Sequence, residues 1–490
     1  MRAVELRRGS YVDSVSLMQV SRRVSGLEGV RSAVVAMATD LNLDLAAGLG
    51  FEVPPASPNE MLVAVDAASA DVLDAALAEV DTALGESARP QASGFGDAPA
   101  PVTVRAAAAR TQATVALIST PGQYAFADAV DAVDAGLHTM VFSDNVPLEQ
   151  EVALKDRAAA AGVLVMGPDC GTAVLGGVGL GFANVVRPGP VGIVAASGTG
   201  AQQLMTLLDG AGVGVSHCLG VGGRDLSATV AGRSTRQALD LLDEDEATSL
   251  VVVVSKPPEP SVAVAVREHA AGLATPVLFA LLGPGEPDLT TTAATVVAAA
   301  GGTWAAPEHW TGAVGSGRRA GALRGLFAGG TLCDEAMLLA SAALGPVRSN
   351  IPLDPSWALG DDLASVGHTM IDFGDDRLTR GRPHPMIDGS QRVQRLLAEV
   401  EDPTTGVLLL DVVLGLNAAP DPASELAGPL HAATAAGIPV VTSLAGTRDD
   451  PQGLREQAAR LNEAGAWVFL SNAAAARCAV ELTGPSGGDG

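Results

Sequence analysis

The chain has 490 residues, 48% of them hydrophobic and 17% charged, so it can bury several cores and is not a disordered polymer. Its formal net charge of −25 argues against nucleic acid and anionic membrane as partners, and an aromatic content of 3% suits parallel sheets packed with Val, Ile, Leu and Ala. Four cysteines, Cys170, Cys218, Cys333 and Cys478, show no CxxC spacing, which argues against a metal site and a disulfide framework.

The opening MRAVELRRGSYVDSV holds no long apolar stretch, and every apolar run further on is cut by Gly, Pro or a charge. The expectation is a cytoplasmic protein without a membrane span. Residues 1–88 alternate β-rich runs with helical ones: AVELRRGSYV and RSAVVAMAT as strands around DSVSLMQVSRRVSGL, then MLVAVDAA and ASADVLDAALAEVDTAL. That pattern predicts a small α+β domain of split βαβ, ferredoxin-like type. The Pro-, Gly- and Ala-rich stretch 89–103 reads as a linker.

From 105 onward strands alternate with helices, which predicts tandem doubly wound parallel sheets: an α/β protein. A Rossmann-like unit is expected over 105–188, a phosphate-binding unit over 189–312 and a flavodoxin-like unit over 320–490. In the first of these, TVALIST runs into Pro121, Gly122, Gln123 and Tyr124, a turn that could hold CoA or a nucleotide or could be plain turn chemistry.

The strongest local signal follows the strand VGIVAA: Ser197, Gly198, Thr199 and Gly200 open a helix, and such a turn aims free N–H groups and the positive helix end at an anion. Read alone, Ser197 is equally an ordinary N-cap. The next strand ends in Gly222, Gly223 and Arg224, and the one after in Lys256, one of only two lysines in the chain. Loops after the strands of a doubly wound sheet share its carboxyl edge, so these residues are expected to gather around a phosphate. Surface charge is the alternative for Lys256. Further on, His368 and His384 stand among carboxylates and arginines, as acid–base groups, as an anion clamp or as part of a polar interface loop.

The runs GPDCGTAVL, GPVGIVAASGTGAQQ, GVGGRDL and VVVVSKPPEP resemble the α subunit of succinyl-CoA synthetase, and VVTSLAGTRDDPQ resembles the carboxyl domain of its β subunit. YVDSVSLM, RGLFAGGTLCDEAM, SNIPL, HTMIDFGDD and GRPHPMID are similar to signatures of the FdrA family, over nearly the whole chain. That resemblance implies a subunit of an oxamate carbamoyltransferase, interconverting carbamoyl phosphate plus oxamate with oxalurate plus phosphate in allantoin breakdown. It also implies a small anionic substrate, carbamoyl phosphate or another acyl phosphate, and companion subunits in a hetero-oligomer. An NDP-forming acyl-CoA ligase subunit is the alternative, and a non-catalytic scaffold a further one. Where the synthetases carry a phosphorylated histidine, this chain reads GPGEPDLTTTAATV, without one.

Overall fold

The computed structural model describes residues 1–8, 12, 14–57, 59–87, 101–314, 317–379 and 382–484, which form four sheets. The N-terminal domain runs β1 (Arg2–Arg7), α1 (Ser14–Ser25), β2 (Val30–Met37), α2 (Asp40–Gly48), β3 (Met61–Ala67), α3 (Ala70–Ser87). Strand β3 lies between β1 and β2, antiparallel to both, and all seven of its residues are buried. The inserted central strand is the split βαβ arrangement, and it leaves β2 as a sheet edge. Of the expected first strand only Arg2–Arg7 is regular; residues 9–11 and 13, and most of the expected linker (89–100), lie outside the described residues.

The next unit holds α4 (Val104–Ala108), β4 (Val115–Ile118), α5 (Gly122–Asp134), β5 (His138–Val141), α6 (Leu148–Ala161) and β6 (Val165–Met166), with β4, β5 and β6 parallel. The chain then forms the hairpin β7 (Thr172–Leu175) and β8 (Val178–Gly181). After it come β9 (Val191–Ala196), α7 (Gly198–Gly210), β10 (Val215–Gly220), α8 (Arg233–Asp243), β11 (Leu250–Ser255), α9 (Pro260–Ala270), β12 (Val277–Leu281) and α10 (Leu289–Ala299). The order of this sheet is β12-β11-β9-β10-β7-β8. The hairpin at 172–181 therefore belongs to the second sheet, not to the unit expected over 105–188. The reason is burial on both faces: Val174 enters one core and Ala173 another.

The last unit comprises β13 (His309–Trp310), β14 (Ala322–Phe327), α11 (Gly330–Leu344), β15 (Val347–Ser349), β16 (His368–Asp372), α12 (Asp376–Thr379), α13 (Ser390–Glu401) and β17 (Thr405–Val413). It ends with α14 (Pro422–Ala435), β18 (Val440–Ala445), α15 (Leu454–Glu463), β19 (Trp467–Phe469) and α16 (Asn472–Leu482). Its sheet runs β13-β19-β18-β17-β14-β16-β15 and is parallel apart from β13. The central strands β9, β11 and β17 are buried along their whole length, which is why they read as unbroken apolar runs. In both large sheets the strand order reverses beside the first strand of the winding, β9 in one and β14 in the other. Such switch points open a crevice at the carboxyl edge. Among the described residues no helix is long and apolar enough to cross a membrane.

Candidate functional site

Two strand–turn–helix junctions meet at this crevice. In the first, β9 ends at Ala196 and Ser197 caps α7, its Oγ accepting the Gly200 N–H at 3.0 Å. In the second, β14 passes through Ala328 and Gly329 into α11, which opens with Gly330 and Thr331. The hydroxyls of Ser197 and Thr331 lie 2.6 Å apart and tie the two helix starts together. Thr199 rests on Gly329 so closely that a β-carbon there would stand 2.7 Å from its side chain. Asp411 shapes the second turn from below: it accepts the Ala328 and Gly329 N–H groups at 2.7 and 2.8 Å, and Arg392 donates to it at 2.7 Å. The opening amides of α7 and α11 have no intrahelical acceptor, as in the first turn of any helix, and both helix dipoles present their positive ends here.

A cavity of about 770 Å³ lies at this meeting point, lined by Ser197, Gly198, Thr199, Gly329, Gly330 and Thr331 together with Lys256, which follows β11. The Lys256 ammonium and an Asp372 oxygen come together over Gly330: a β-carbon on that glycine would sit 3.1 Å from the first and 2.6 Å from the second. Burial disfavours the charge on Lys256, but Asp334, Asp372, Asp169 and Asp375 outweigh it and hold its pKa above the ordinary lysine value. In turn, burial pushes Asp372 up to about 7 and Asp334 to about 6, each opposed by Lys256. Asp169 is likewise raised to about 7, by burial first and then by Asp376 and Asp144. Asn350 grips the backbone of Asp372 from both sides, accepting its N–H at 2.9 Å and donating to its carbonyl at 2.8 Å. The SNIPL run thus positions a carboxyl group at the cavity.

His384 also lines the cavity, packed against Phe182 with ring centroids 5.7 Å apart. Its Nδ1 accepts the Met386 N–H at 3.2 Å, which places the proton of the neutral ring on Nε2. Burial, helped by Arg392, lowers its pKa to about 4, so it is a neutral hydrogen-bond donor near pH 7. The pKa near 6.5 expected for an acid–base histidine does not hold here.

Other expected site residues are placed elsewhere. His368 sits at the amino end of β16, its Nδ1 accepting the Leu323 N–H at 3.0 Å, at the opposite end of that strand from Asp372. Arg224 is turned from the cavity to Glu151, at 2.9 Å, and to the Val146 carbonyl. Beside it Lys155 is buried between Glu151 at 2.8 Å and Asp225 at 2.7 Å, so the GGRD loop is clamped to α6. Of that loop Gly223 reaches the cavity wall; Gly222 instead packs on Pro168, and Gly200 is buried within α7. In the 121–124 turn, Pro121, Gly122 and Gln123 line the cavity and Tyr124 points to solvent. Neighbouring Thr120 also lines it, and its Oγ1 is buried with no hydrogen-bond partner. Sequence reading passed over the AGGT turn as a site, although strand–Ala-Gly-Gly-Thr–helix is the same pattern as strand–Ser-Gly-Thr-Gly–helix. It grouped Asp372 with the carboxylates around His368 without singling it out and missed Asp169; the role of both depends on what folds around them.

Architecture and cavity define an α/β protein in which two doubly wound parallel sheets meet at one crevice behind a small α+β domain. Residues 326–482 match the CoA-ligase family and residues 1–101 match the family described as "AllF, heavy metal-associated domain". Protein YahF of Escherichia coli (strain K12) is 36% identical over 497 residues, covering 96% of each chain. The chain belongs to the family of YahF, the FdrA-like group that joins an AllF-type N-terminal domain to a CoA-ligase domain. A succinate–CoA ligase α subunit of Archaeoglobus fulgidus is 29% identical over 158 residues, 31% of this chain and about half (54%) of that subunit. Among solved structures, an acetyl-coenzyme A synthetase of Ca. Korarchaeum cryptofilum aligns over 80% of this chain and 86% of its own at 16% identity and a TM-score of 0.31. Residues 1–101 contain neither Cys nor His, so the N-terminal domain offers no thiolate or imidazole ligand to a metal ion.

Proposed function

We propose that the cavity binds an acyl phosphate and that the chain is the acyl-phosphate-handling subunit of an acyl-CoA ligase of the NDP-forming class. The observation that carries this reading is the convergence of the α7 and α11 amino ends with Lys256 on one cavity. The paired helix ends and the ammonium would hold the phosphate, as the anion bound and as the leaving group released. His384, neutral with its proton on Nε2, would donate to an oxygen that gains charge. Asp372 and Asp169, with pKa values of about 7, could each take or return a proton near neutral pH. CoA, when bound, supplies the thiol that accepts the acyl group. The orphaned Thr120 hydroxyl fits such a ligand, and with Gly122 and Gln123 it would help to hold one. Phosphorylation by a nucleotide is assigned to a companion subunit, and the supply of CoA and acyl phosphates goes with a cytoplasmic location.

Carbamoyl transfer from carbamoyl phosphate to oxamate is the second reading. It is favoured by the loop between β12 and α10, which carries no histidine for a phosphoryl relay, so that a ready-made acyl phosphate would have to arrive from outside. The test is product analysis of the chain purified with its companions. One arm supplies ATP, CoA and a carboxylic acid, the other carbamoyl phosphate and oxamate. Thioester formation in the first arm is expected; oxalurate in the second arm alone would replace this reading with the carbamoyl one. Failure of the chain to bind inorganic phosphate in calorimetry would overturn both.

A further inference from the structure

The cavity is larger than its phosphate end needs. About 770 Å³ lies in the range of a drug-sized ligand, roughly 300–1,000 Å³, and exceeds what a phosphate with a one- or two-carbon acyl group fills. Much of the remainder is walled by the N-terminal domain: Leu17 and Met18 of α1, Val35 and Met37 of the edge strand β2, Leu45 of α2 and Leu49 at its C-cap, with Ser21, Thr39 and Asn42 among them. Across from them stand Phe142, Phe182 and Met386. The domain is seated firmly enough to act as a wall. Arg22 donates to the Ile387 carbonyl and pairs with Glu425, and Met18 packs against the core that includes Met386 and Ile387.

Charge on the same cavity discriminates between acyl groups. Among the described residues the lining cations are Lys256, at the phosphate end, and the exposed Arg382. The lining carboxylates are Asp144, Asp169, Asp372, Asp376 and Asp388. A second carboxylate on the substrate would meet an excess of acidic groups and a largely apolar wall, while a hydrocarbon chain would be desolvated. We infer that the N-terminal domain provides an acyl-chain subsite and that the acyl group carried is an apolar monoacid of about four carbons or more, not a dicarboxylate and not oxamate.

This inference rests on the acyl-phosphate reading, and the experiment separates the two. Calorimetry on the full chain would measure inorganic phosphate, then acetyl-, butyryl- and succinyl-phosphonate as stable mimics of the acyl phosphates. Butyrylphosphonate should bind about tenfold tighter than the acetyl compound, the effect of burying two further methylenes, and tighter still than the succinyl compound. Leu45→Ala should narrow the butyryl preference, and Leu45→Arg should shift preference to the succinyl compound; both should leave phosphate affinity as in the parent. Equal affinity for the three compounds, or succinyl preference in the parent chain, would overturn the acyl-chain subsite while phosphate binding still stood. Absence of phosphate binding in the parent would remove the acyl-phosphate reading itself.

Discussion

Lys155 and Lys256, the two lysines of the chain, are put to opposite uses by the fold. Lys155 is 1% exposed and locked between Glu151 and Asp225, both fully buried. Replacing it by Met would leave two uncompensated buried carboxylates, and a loss of about 3–5 kcal/mol is expected in denaturant titration. Among the described residues Lys256 forms no such pair, and its ammonium faces the cavity. Lys256→Met should therefore cost less stability than Lys155→Met in denaturant titration and lose about 2–5 kcal/mol of acyl-phosphate binding or turnover. If the two variants behaved alike, the division of roles would be wrong. His384 makes a further prediction. Its folded pKa of about 4 lies below the unfolded value near 6.5. Its contribution to stability is thus complete above pH 6.5 and is lost as pH falls toward 4, because the unfolded chain takes up a proton that the folded chain refuses. His384→Gln keeps an N–H donor and should flatten that part of the melting-temperature profile. Its rate profile should show no inflection between pH 6 and 8 that the parent lacks.

At the scale of elements, the site is made by two helices that begin 132 residues apart in sequence, α7 at Gly198 and α11 at Gly330, and abut at their first turns. Their approach depends on Gly329, since a side chain there would collide with Thr199 at 2.7 Å. Gly329→Ala should push the helix ends apart and weaken phosphate affinity by about tenfold or more, while the sheets stay intact. Thr199→Gly in the same chain should recover part of that loss. A double-mutant cycle in calorimetry measures the coupling, and additive effects would mean that the two turns do not act together. The hydroxyl of Ser197 is committed to the Gly200 amide and to Thr331, so its first duty is to set this geometry. The N-cap reading and the anion-site reading of that residue are compatible: the cap holds the turn in the shape that presents its neighbours' amides.

Across the whole molecule, the two large sheets share one hydrophobic core. It runs from Val191, Leu204 and Leu208 of the second unit to Leu323, Leu332 and Ala476 of the third. Polar contacts reinforce the join: Glu335 accepts the Leu289 N–H and an Asn472 amide hydrogen bond, each at 2.7 Å, and Asn184 donates to Asp450 at 2.7 Å. The boundary expected near 312–320 is therefore one of topology and not of stability. The two units are expected to unfold in a single calorimetric transition, and neither should give a folded product when expressed alone; two resolved transitions within 189–484 would contradict the shared core. The N-terminal domain has its own cores around Val24 and Val63 and around Leu62 and Phe51. It docks on the loop that carries His384, which is how the domain becomes part of the site.

The amino-acid sequence by itself determined the alternation of strands and helices, because parallel strands buried on both faces must be apolar throughout, as Val251–Val254 and Leu408–Leu410 are. It also determined the SGTG turn and singled out Lys256, since a hydroxyl and glycines between a strand and a helix, and a rare cation in an acidic chain, are local facts. Only the tertiary structure decided which groups share a cavity. The spacing of Gly222, Gly223 and Arg224 looked like a phosphate loop, but Glu151, 73 residues upstream of Arg224, draws the guanidinium away. His368 and His384 looked alike in sequence, yet they fall at different ends of the third sheet because one opens strand β16 and the other lies in the loop between α12 and α13. The AGGT turn, Asp372 and the apolar wall of the N-terminal domain reach the site through contacts between distant segments. Such contacts depend on how sheets pack against one another, and no local pattern of residues encodes that.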